Sequence, residues 1–575
     1  MKQGRPTRQK PFLPTCRKFD KGFKKAVKAP TQIGILLFVL LFASPVLGPE
    51  AQDPQSALTG DDVALQKALA AAAPGATVRI EPRIYRLTLP LEVAKPVTIT
   101  GTAGSELQFG TPKRALLKIT SSNVNISNLK LTGPNYTVNH DQERAIEAVG
   151  ASAFAPLSQI TIENCEITSW GGYGVYLKYV HDFTVNGNRI SRIDYAAVQG
   201  LSVKNGMISN NVISNVIGTH DSYGIALSRE SGNLNDQPRS ADVKVIGNSI
   251  RDVPNWEALD THGGERIAFI NNSVAGCYAG IVIGVSKDAA GHAVFSPLDC
   301  VAEGNELDSG RKDGSAGFGI VVRGADIFPA APVAKATASI RNNVVIGYGD
   351  QSDTNHGAIH AFNTDHLIIS GNRIIEPSPY GINLLENNSE ALIVNNTIID
   401  PWSNRNGQAV GIYLRGANNS ASIDKNEIRS VSKRAVSILT SGVRVANGRN
   451  RVRMGTNRLS SGVLDDAGQN NPAVSTMMNT SELPSQPRSK VGFNWNAPQL
   501  AERETASVDV KVEAARIGDT VRVIANTSFA SCVTLTGTVS LSGIVTLTLT
   551  NRCGRSIRAA SIRILIEDWE PAMSP

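Results

Sequence analysis

Asp260 and His262 are the two residues whose types and spacing best suit proton-transfer chemistry. They stand two apart in the segment ALDTH at 258–262, so in an extended strand both side chains project from one face. The histidine pKa lies near neutrality, and a neighbouring carboxylate can orient the ring and stabilise its charged form. The pair therefore suggests a general acid–base site. The same two residues could instead form a surface ion pair or stabilise a local turn, and the sequence leaves this structural alternative open.

The elements that would position this pair repeat along the chain. An apolar strand followed by polar residues and an asparagine recurs every 23–38 residues. Asparagine tolerates the left-handed backbone of a sharp turn, and stacked amides can hydrogen-bond from one repeat to the next. We predict that such a stack forms, and that removing one member lowers stability by about 1–2 kcal/mol. The aligned asparagines are Asn188, Asn211, Asn248, Asn272, Asn305, Asn343, Asn372, Asn396, Asn426 and Asn450.

A second repeated motif lies between the asparagines. It is a small residue followed by alternating apolar residues, as in GVYL at 174–177 and GIAL at 224–227. Each repeat thus holds at least two strands and no helical stretch, which is typical of a β-solenoid with inserted loops. Aligning the motifs places Asp260 and His262 outward, with Arg229 just past the strand of the preceding coil. The other outward candidates are Tyr176, Lys178, Gln199, Arg323 and His360.

Residues 59–450 resemble the right-handed parallel β-helix, or pectin-lyase-like, superfamily in this repeat pattern. The segment at 61–80, DDVALQKAL followed by PGATVRI, is similar to the capping helix and first strand that open such solenoids. Asp61 or Asp62 is the predicted N-cap, and Leu65 and Leu69 share the buried face. The predicted fold class is all-β: a right-handed parallel β-helix with an N-terminal capping helix and a small C-terminal β-sandwich-like domain.

The fragment WEALDTHGG at 256–264 resembles the Tyr-Gly-Phe-Asp-Pro-His stretch of mannuronan epimerases. In that family the Asp, His and Tyr transfer a proton at the sugar carbon beside the carboxylate. Asp260 and His262 match, whereas Glu257 stands where tyrosine is expected and Thr261 replaces proline. Tyr223, in the equivalent position one coil earlier, is the candidate for the missing tyrosine.

This resemblance implies that the protein acts on an acidic polysaccharide. Abstracting a proton beside a carboxylate requires a cation, and we expect Arg229 to supply it, with Lys178 and Arg323 as further cations. Tyr176, Gln199 and His360 complete the expected substrate-binding face. His262, or a tyrosine whose pKa is lowered by arginine, would be the base.

Returning the proton to the opposite face of the sugar gives epimerisation, and expelling the glycosidic oxygen gives lyase chemistry. Hydrolysis would need a second carboxyl group about 5–10 Å from Asp260, and Glu257, Asp221 and Glu230 are the candidates for it. The Gly-His-Gly and Arg-Ile-Lys motifs of polygalacturonases do not occur. Inserts at 229–241, 286–298 and 324–336 flank Asp260 and would wall a groove beside its strand.

The net charge of +7 is confined to the N-terminal tail. Residues 1–30 carry ten Lys and Arg against one acidic residue, whereas the rest of the chain carries 47 basic and 49 acidic residues. The body therefore lacks the basic footprint of a nucleic-acid-binding protein. Residues 33–47 follow the tail without a charge, and this pattern resembles a signal peptide, with an uncleaved anchor as the alternative. We predict an exported protein that contacts a membrane only if this segment is retained.

Four regions follow from these patterns: a basic tail and signal peptide or anchor at 1–51, the β-helix at 52–455, a linker at 456–490 and a β-sandwich-like domain at 491–570. The last resembles small β-domains of phage-related and secreted bacterial proteins. We predict a polysaccharide lyase or uronate epimerase with no cofactor and no metal ligands. The alternative is a non-catalytic, adhesin-like or tailspike-like glycan-binding protein. The sequence leaves a calcium requirement and a trimeric assembly open.

Overall fold

The computed structural model describes residues 60–569 with internal gaps. The N-terminal tail and the predicted signal segment therefore lie outside the described residues. Within the described part of the chain, no helix is long and apolar enough to cross a membrane. The gaps are at 135–141, 219–220, 312–314, 327–333, 351–355, 404–406, 431–438, 447–448, 461–462, 466–473, 477–488, 503, 514, 516–519, 526–532, 542, 552–555 and 558–559.

Three long parallel sheets form the main body, and consecutive strands of the chain visit them in turn. Sheet A contains Thr77–Arg79, Thr98–Thr100, Val124–Ser127, Leu157–Glu163, Val180–Asn186, Lys204–Ser209, Ala241–Ile246, Ala268–Ile270, Cys300–Glu303, Ala338–Arg341, Ile368–Ser370, Ala391–Val394, Ser420–Asp424, Arg451–Met454 and Val474–Thr476. Sheet B contains Ile84–Leu87, Glu106–Phe109, Lys130–Thr132, Glu166–Trp170, Arg189–Ile193, Val212–Val216, Ser249–Arg251, Ser273–Ala275, Glu306–Asp308, Val344–Ile346, Arg373–Ile375, Thr397–Ile399, Glu427–Arg429 and Arg458–Leu459. Sheet C contains Leu91–Val93, Ala115–Ile119, Arg144–Val149, Tyr173–Lys178, Ala196–Leu201, Tyr223–Ser228, Glu257–His262, Ala279–Gly284, Ile320–Arg323, Ile359–Phe362, Tyr380–Leu384, Val410–Leu414, Ser441–Val445 and Val463–Asp465.

Each strand pairs with its counterpart one coil away, which confirms the predicted parallel β-helix. On sheet C, Ile225 pairs with Leu259, Leu259 with Ile281 and Ile281 with Ile320. These four side chains are fully buried in one continuous apolar core. The core forms because apolar residues at alternate strand positions stack on their equivalents about 4.8 Å away. A short antiparallel hairpin, Ser286–Lys287 with Ala293–Phe295, lies in one insert.

A single described helix, Asp61–Ala71, covers the N-terminal end of this core. Leu65 and Leu69 are buried, as the sequence predicts. The predicted N-cap is wrong, because the helix begins after Gly60 and no side chain caps it. Both aspartates lie instead in the first turn.

These aspartates tie the helix to the first coil. The Asp61 carboxylate accepts hydrogen bonds from the Arg83 guanidinium and the Arg86 backbone N–H, each at 2.8 Å. Asp62 accepts from the hydroxyl of Thr88 at 2.9 Å and from the backbone of Leu89 at 3.1 Å. Acidic residues in the first turn also interact favourably with the helix dipole, so these two aspartates stabilise the helix although neither is its N-cap.

The asparagine stack lies at the turn between sheets A and B. Asn188 Nδ2 donates to Asn211 Oδ1 at 3.0 Å, and Asn211 Nδ2 donates to Asn248 Oδ1 at 2.9 Å. The pattern continues unbroken to Asn426. Each Oδ1 also accepts the backbone N–H of the preceding asparagine, so one side chain satisfies two donors of its neighbour. The predicted stack is therefore confirmed.

The left-handed turn residue is not the stacked asparagine, contrary to the prediction. It is the residue immediately before, such as Asn210 with φ of 54° and Gly247 with φ of 64°. The left-handed residue turns the chain, and the following asparagine faces inward to bond its neighbours. This division explains why glycine and asparagine predominate at the first position, with Lys425 before Asn426 as an exception, whereas the second is asparagine.

Asn450 was assigned to the wrong stack by sequence spacing. After Asn426 the ladder continues to Asn457, whose Oδ1 accepts Asn426 Nδ2 at 2.9 Å. Asn450 belongs to a second ladder at the turn between sheets C and A. There Asn388 Nδ2 donates to Asn419 Oδ1 at 2.7 Å, and Asn450 Oδ1 accepts the Asn419 backbone N–H at 2.9 Å.

Asn248→Ala is expected to lower the free energy of unfolding by about 2–4 kcal/mol, more than the sequence alone suggested. The change removes the acceptor of both the Asn211 backbone N–H and its amide, and both groups are buried. Chemical denaturation of full-length protein measures this loss. Asn186→Ala is the matched control, because its Oδ1 accepts hydrogen bonds from Ser209 and Asn210 nearer the surface. Equal losses in the two variants would contradict a special contribution of the ladder.

The solenoid strands continue past residue 455, which is the predicted end of the β-helix. Arg458–Leu459, Val463–Asp465 and Val474–Thr476 each pair with the strand of the preceding coil. Part of the predicted linker at 456–490 therefore belongs to the sheets.

The C-terminal region forms two antiparallel three-stranded sheets, as predicted for a β-sandwich-like domain. Buried side chains including Trp495, Val510, Leu547 and Ile564 form its separate core. One sheet contains Ser489–Ala497, Ala560–Trp569 and Thr520–Ala525, and the other contains Thr505–Lys511, Ile544–Asn551 and Val533–Leu541.

Candidate active site

The strand Glu257–His262 places Asp260 and His262 on the outer face of sheet C. Leu259 and Thr261 alternate with them and are fully buried, and the Thr261 hydroxyl donates to the Leu227 carbonyl at 2.6 Å. His262 Nδ1 and Asp260 Oδ2 lie 3.0 Å apart. The carboxylate therefore orients the imidazole through Nδ1, which leaves Nε2 for a substrate.

Ser228 on the preceding coil supports this pair. Its hydroxyl donates to Asp260 Oδ2 at 3.3 Å and accepts the backbone N–H of His262 at the same distance. The Asp260 side chain is 1% exposed and the His262 side chain 35% exposed. The carboxylate is thus the buried, fixed partner, and the imidazole is the group that remains accessible at the surface.

Glu257 joins this pair to form a three-residue cluster. One donor atom from each of Glu257, Asp260 and His262 lies within 4.8 Å of the others. Glu257 is 8% exposed, and its Oε2 and Asp260 Oδ1 are buried without a hydrogen-bond partner in the described structure. Burial, followed by the charge of Asp260, raises the pKa of Glu257 well above its usual range. Two adjacent buried carboxyl groups cannot both ionise readily, and this environment favours the protonated form of Glu257.

The His262 pKa results from opposing effects. Burial lowers it, but the charge and hydrogen bond of Asp260 raise it more, so the net pKa lies above the usual value. Arg323 and Lys287 act in the lowering direction. Since the proton of the imidazolium is stabilised by Asp260, His262 is a stronger base than an isolated histidine.

Tyr223 stands one coil before Glu257 and in register with it, as the sequence alignment expected. Burial, followed by the charges of Glu257 and Asp260, raises the pKa of Tyr223 well above its usual range. The expectation of a tyrosine with a lowered pKa is therefore wrong for this residue. A protonated phenol next to Glu257 can donate a proton, but it is a poor base.

Arg229 does not face the groove. Its side chain is buried, with Nε donating to the Gln237 carbonyl at 2.7 Å and Nη2 donating to the Gly232 carbonyl at 2.7 Å. Nη1 donates to the Lys287 carbonyl at 2.9 Å, and the guanidinium lies over the Phe295 ring. These contacts hold two inserts together, so the geometry does not fit the expected contact with a sugar carboxylate.

The remaining predicted residues share the face but lie on other coils. Tyr176 and Gln199 precede Asp260 in one outward column, and His360 follows it three coils later. The Gln199 amide donates to main-chain carbonyls and is buried. Lys178 pairs with Glu230 and Arg323 with Asp326, both at 2.8 Å. At about 4.8 Å per coil these residues border the cluster and do not contact it.

Lys287 is the site residue that sequence reasoning missed. Glu257 is predicted from the sequence only as a candidate second carboxyl group for hydrolysis, at a position where the epimerase resemblance expects tyrosine. Lys287 lies in an insert, where strand periodicity carries no information. The cluster offers two carboxylates and one imidazole, whereas calcium prefers six to eight oxygen ligands. The donor set therefore does not match calcium.

Glu257→Gln is expected to be more stable than the wild type at neutral pH. Because the folded pKa of Glu257 is raised, its contribution to stability is full below the unfolded pKa of about 4.5 and is lost as pH rises toward the folded pKa. Glutamine removes this loss of about 1.4 kcal/mol per pH unit in that window. Denaturation at several pH values measures the difference, and Glu303→Gln, on sheet A, is the control. A constant difference at all pH values would contradict the raised pKa.

Fold and site together describe a parallel β-helix with an acid–base cluster on one sheet. The family model for the right-handed β-helix region matches residues 115–288 and 258–452, and the chain belongs to this family.

Solved structures similar to this chain include two tailspike proteins and an epimerase. The tailspike of E. coli bacteriophage HK620 is 11% identical, with 88% of each chain covered and a TM-score of 0.44. The A-module of the mannuronan C-5 epimerase AlgE6 of Azotobacter vinelandii is 14% identical, with 71% of this chain and 94% of that chain covered and a TM-score of 0.38. The Dettilon tailspike is 14% identical, with 88% and 90% covered and a TM-score of 0.39. No curated protein sequence matches. At these identities the likeness concerns the fold alone.

Proposed function

We propose that the protein is an exported enzyme that acts on an acidic polysaccharide by removing the proton beside a uronate carboxylate, as a lyase or an epimerase. The observation that carries the proposal is the hydrogen-bonded Asp260–His262 pair next to the buried carboxyl group of Glu257, whose pKa is raised by burial. A base and an acid thus lie on one outer strand within reach of one sugar. Fold resemblance does not enter this argument, since the β-helix serves many functions.

His262 Nε2 takes the proton from the carbon beside the carboxylate, and Asp260 stabilises the resulting imidazolium. The electron pair left on that carbon either expels the neighbouring glycosidic oxygen with formation of a double bond, or recaptures a proton from the opposite face. Glu257 and Tyr223 hold the protons available for the leaving oxygen or for the second face. The first outcome is a lyase reaction and the second is epimerisation.

Positive charge around His262 supports an acidic substrate. Arg323 and Lys287 act electrostatically on the imidazole. Arg239 lies behind it, where Nη1 donates to the carbonyls of Gly263 and Ser296 at 2.6 and 2.7 Å. A group of cations beside a partly buried base attracts a carboxylate and stabilises the charge that develops on it. Arg323 and Lys287 replace Arg229 in this role.

Hydrolysis is the second candidate, because the carboxyl groups of Glu257 and Asp260 lie side by side. Glycosidases use such a pair, with separations of about 5–10 Å between the two groups. Here the nearest donor atoms lie within 4.8 Å, and Asp260 is almost fully buried. This geometry favours Asp260 as the partner of His262 over a role as nucleophile.

Product analysis tests the proposal. Full-length protein is incubated with polygalacturonate and with alginate in deuterated water. Unsaturated ends, seen by ultraviolet absorbance, indicate a lyase, and deuterium at the carbon beside the carboxylate without chain cleavage indicates an epimerase. New saturated reducing ends indicate hydrolysis and would refute the proposal. Binding without any product would favour the non-catalytic glycan-binding alternative.

A further inference from the structure

Six consecutive coils place an aromatic side chain at the same edge of sheet C. Each stands at the first residue of its strand or within two residues before it. Aromatic residues make up only 5% of the chain, so an unbroken run of six on one edge is a specific feature of this face. The six residues, named here the aromatic edge, are Tyr173, Tyr195, Tyr223, Trp256, Tyr278 and Phe318.

The aromatic edge lies outside the solenoid core. None of its members belongs to the main apolar cluster of the described residues, and all except Tyr173 are half-buried. Tyr173 and Tyr195 have ring centroids 5.2 Å apart, and Tyr195 and Tyr223 are 5.5 Å apart. These contacts are edge-to-face, which fixes the rings in place and leaves part of each half-buried ring at the surface.

The column of outward residues that contains Asp260 runs beside the aromatic edge. Tyr278 and Phe318 of the edge pack against members of this column. Ala226 precedes Asp260, and Val282 and Val321 follow it. The opposite side carries the inserts at 229–241 and 286–298, which Arg229 joins through its bonds to both. The aromatic edge and this column therefore both follow the solenoid axis past the acid–base cluster.

We propose that the aromatic edge is an extended binding site for a linear polysaccharide, which lies parallel to the solenoid axis with sugar units on both sides of Asp260. A pyranose ring has an apolar C–H face that stacks on aromatic rings. The coil spacing of about 4.8 Å is close to the length of one sugar unit, so each coil can hold about one unit. The edge spans about 24 Å, or five coil spacings. A site of this length binds sugar units within a polysaccharide chain and does not require a chain end. This inference rests on the proposed function only for the position of the reacting sugar.

Binding of oligosaccharides of defined length tests the inference separately from turnover. The His262→Gln variant is titrated calorimetrically with oligogalacturonates and oligomannuronates, from dimers to chains longer than the edge. Affinity is expected to rise with length until about five or six units are bound. Tyr195→Ala, placed in the same background, is expected to weaken binding of long oligomers on the order of tenfold and to leave dimer binding unchanged, since Tyr195 lies two coils from Asp260.

Two further variants keep the test specific. Tyr195→Phe should retain wild-type affinity, because stacking uses the ring and not the hydroxyl. Met207→Ala is the matched control: it removes an exposed apolar side chain from sheet A of the same coil. Thermal unfolding verifies that each variant is folded.

The outcomes for this inference and for the proposed function are distinct. Affinity independent of oligomer length, equal effects of Tyr195→Ala and Met207→Ala, or no binding of either acidic series would overturn the aromatic-edge site. Length-dependent, Tyr195-dependent binding without any product would support the edge and refute the proposed enzyme activity. Product formation together with an affinity that does not depend on oligomer length would support the proposed enzyme activity and overturn the aromatic-edge site.

Discussion

His262→Ala is expected to reduce turnover of a uronate polymer by about 10²–10⁴-fold while the solenoid stays folded. The imidazole is the only member of the cluster that combines substantial exposure with a basic nitrogen turned away from Asp260. Its side chain lies outside the apolar core, so its removal costs little packing energy. Steady-state assays of unsaturated ends or of deuterium incorporation measure the loss.

His366→Ala is the matched control for this variant. His366 also pairs with a neighbouring aspartate, with Nδ1 3.1 Å from Asp365 Oδ2, but it lies exposed on another coil. Its replacement is expected to leave turnover unchanged. Full activity of His262→Ala would show that the cluster is not the active site, and the region around His360 would then be the next candidate.

The periodic part of the structure could be predicted from the sequence. Alternation of apolar residues placed Asp260 and His262 on one outer face, and alignment of repeats put Tyr223 in register with Glu257. Both follow from backbone geometry, because strand residues alternate and equivalent residues of successive coils stack. The same reasoning identified the asparagine ladder from its sequence spacing.

The error in the predicted asparagine ladder arose because two different turns of the coil use asparagine. Asn450 follows Asn426 at the basal repeat length, yet the next ladder member is Asn457, because asparagine ladders occupy two different turns of the coil. Spacing alone cannot distinguish these turns. Only the hydrogen bonds from Asn419 and Asn426 assign each residue to its ladder.

The candidate site was harder to predict because its chemistry depends on burial. Arg229 is predicted just past the strand of the preceding coil, but its donors bind main-chain carbonyls of the inserts. The raised pKa of Glu257 results from the loss of solvent around two carboxyl groups, and the alternation of strand residues does not predict this loss. Irregular inserts and desolvation are therefore the two parts of this site that periodicity could not supply.

Asp260→Asn is expected to reduce turnover by a similar factor of about 10²–10⁴ and also to change the pH dependence of the remaining activity. In the wild type Asp260 outweighs burial and raises the His262 pKa above its usual value. A base must be unprotonated to act, so activity falls as pH drops through that raised pKa. Without the carboxylate, burial and the nearby Arg323 and Lys287 lower the pKa below its usual value. The acid limb of the kcat/KM profile should consequently move to lower pH.

The displaced acid limb separates an electrostatic role of Asp260 from a purely structural one. Loss of folding or of substrate positioning would lower activity at every pH and leave the limb where it was. Asp365→Asn, which alters the exposed Asp–His pair in the same way, should change neither the rate nor the profile. An acid limb that stays in place in Asp260→Asn would show that His262 is not the group whose ionisation limits the reaction. In that case proton abstraction would have to be assigned to another residue on this face of sheet C.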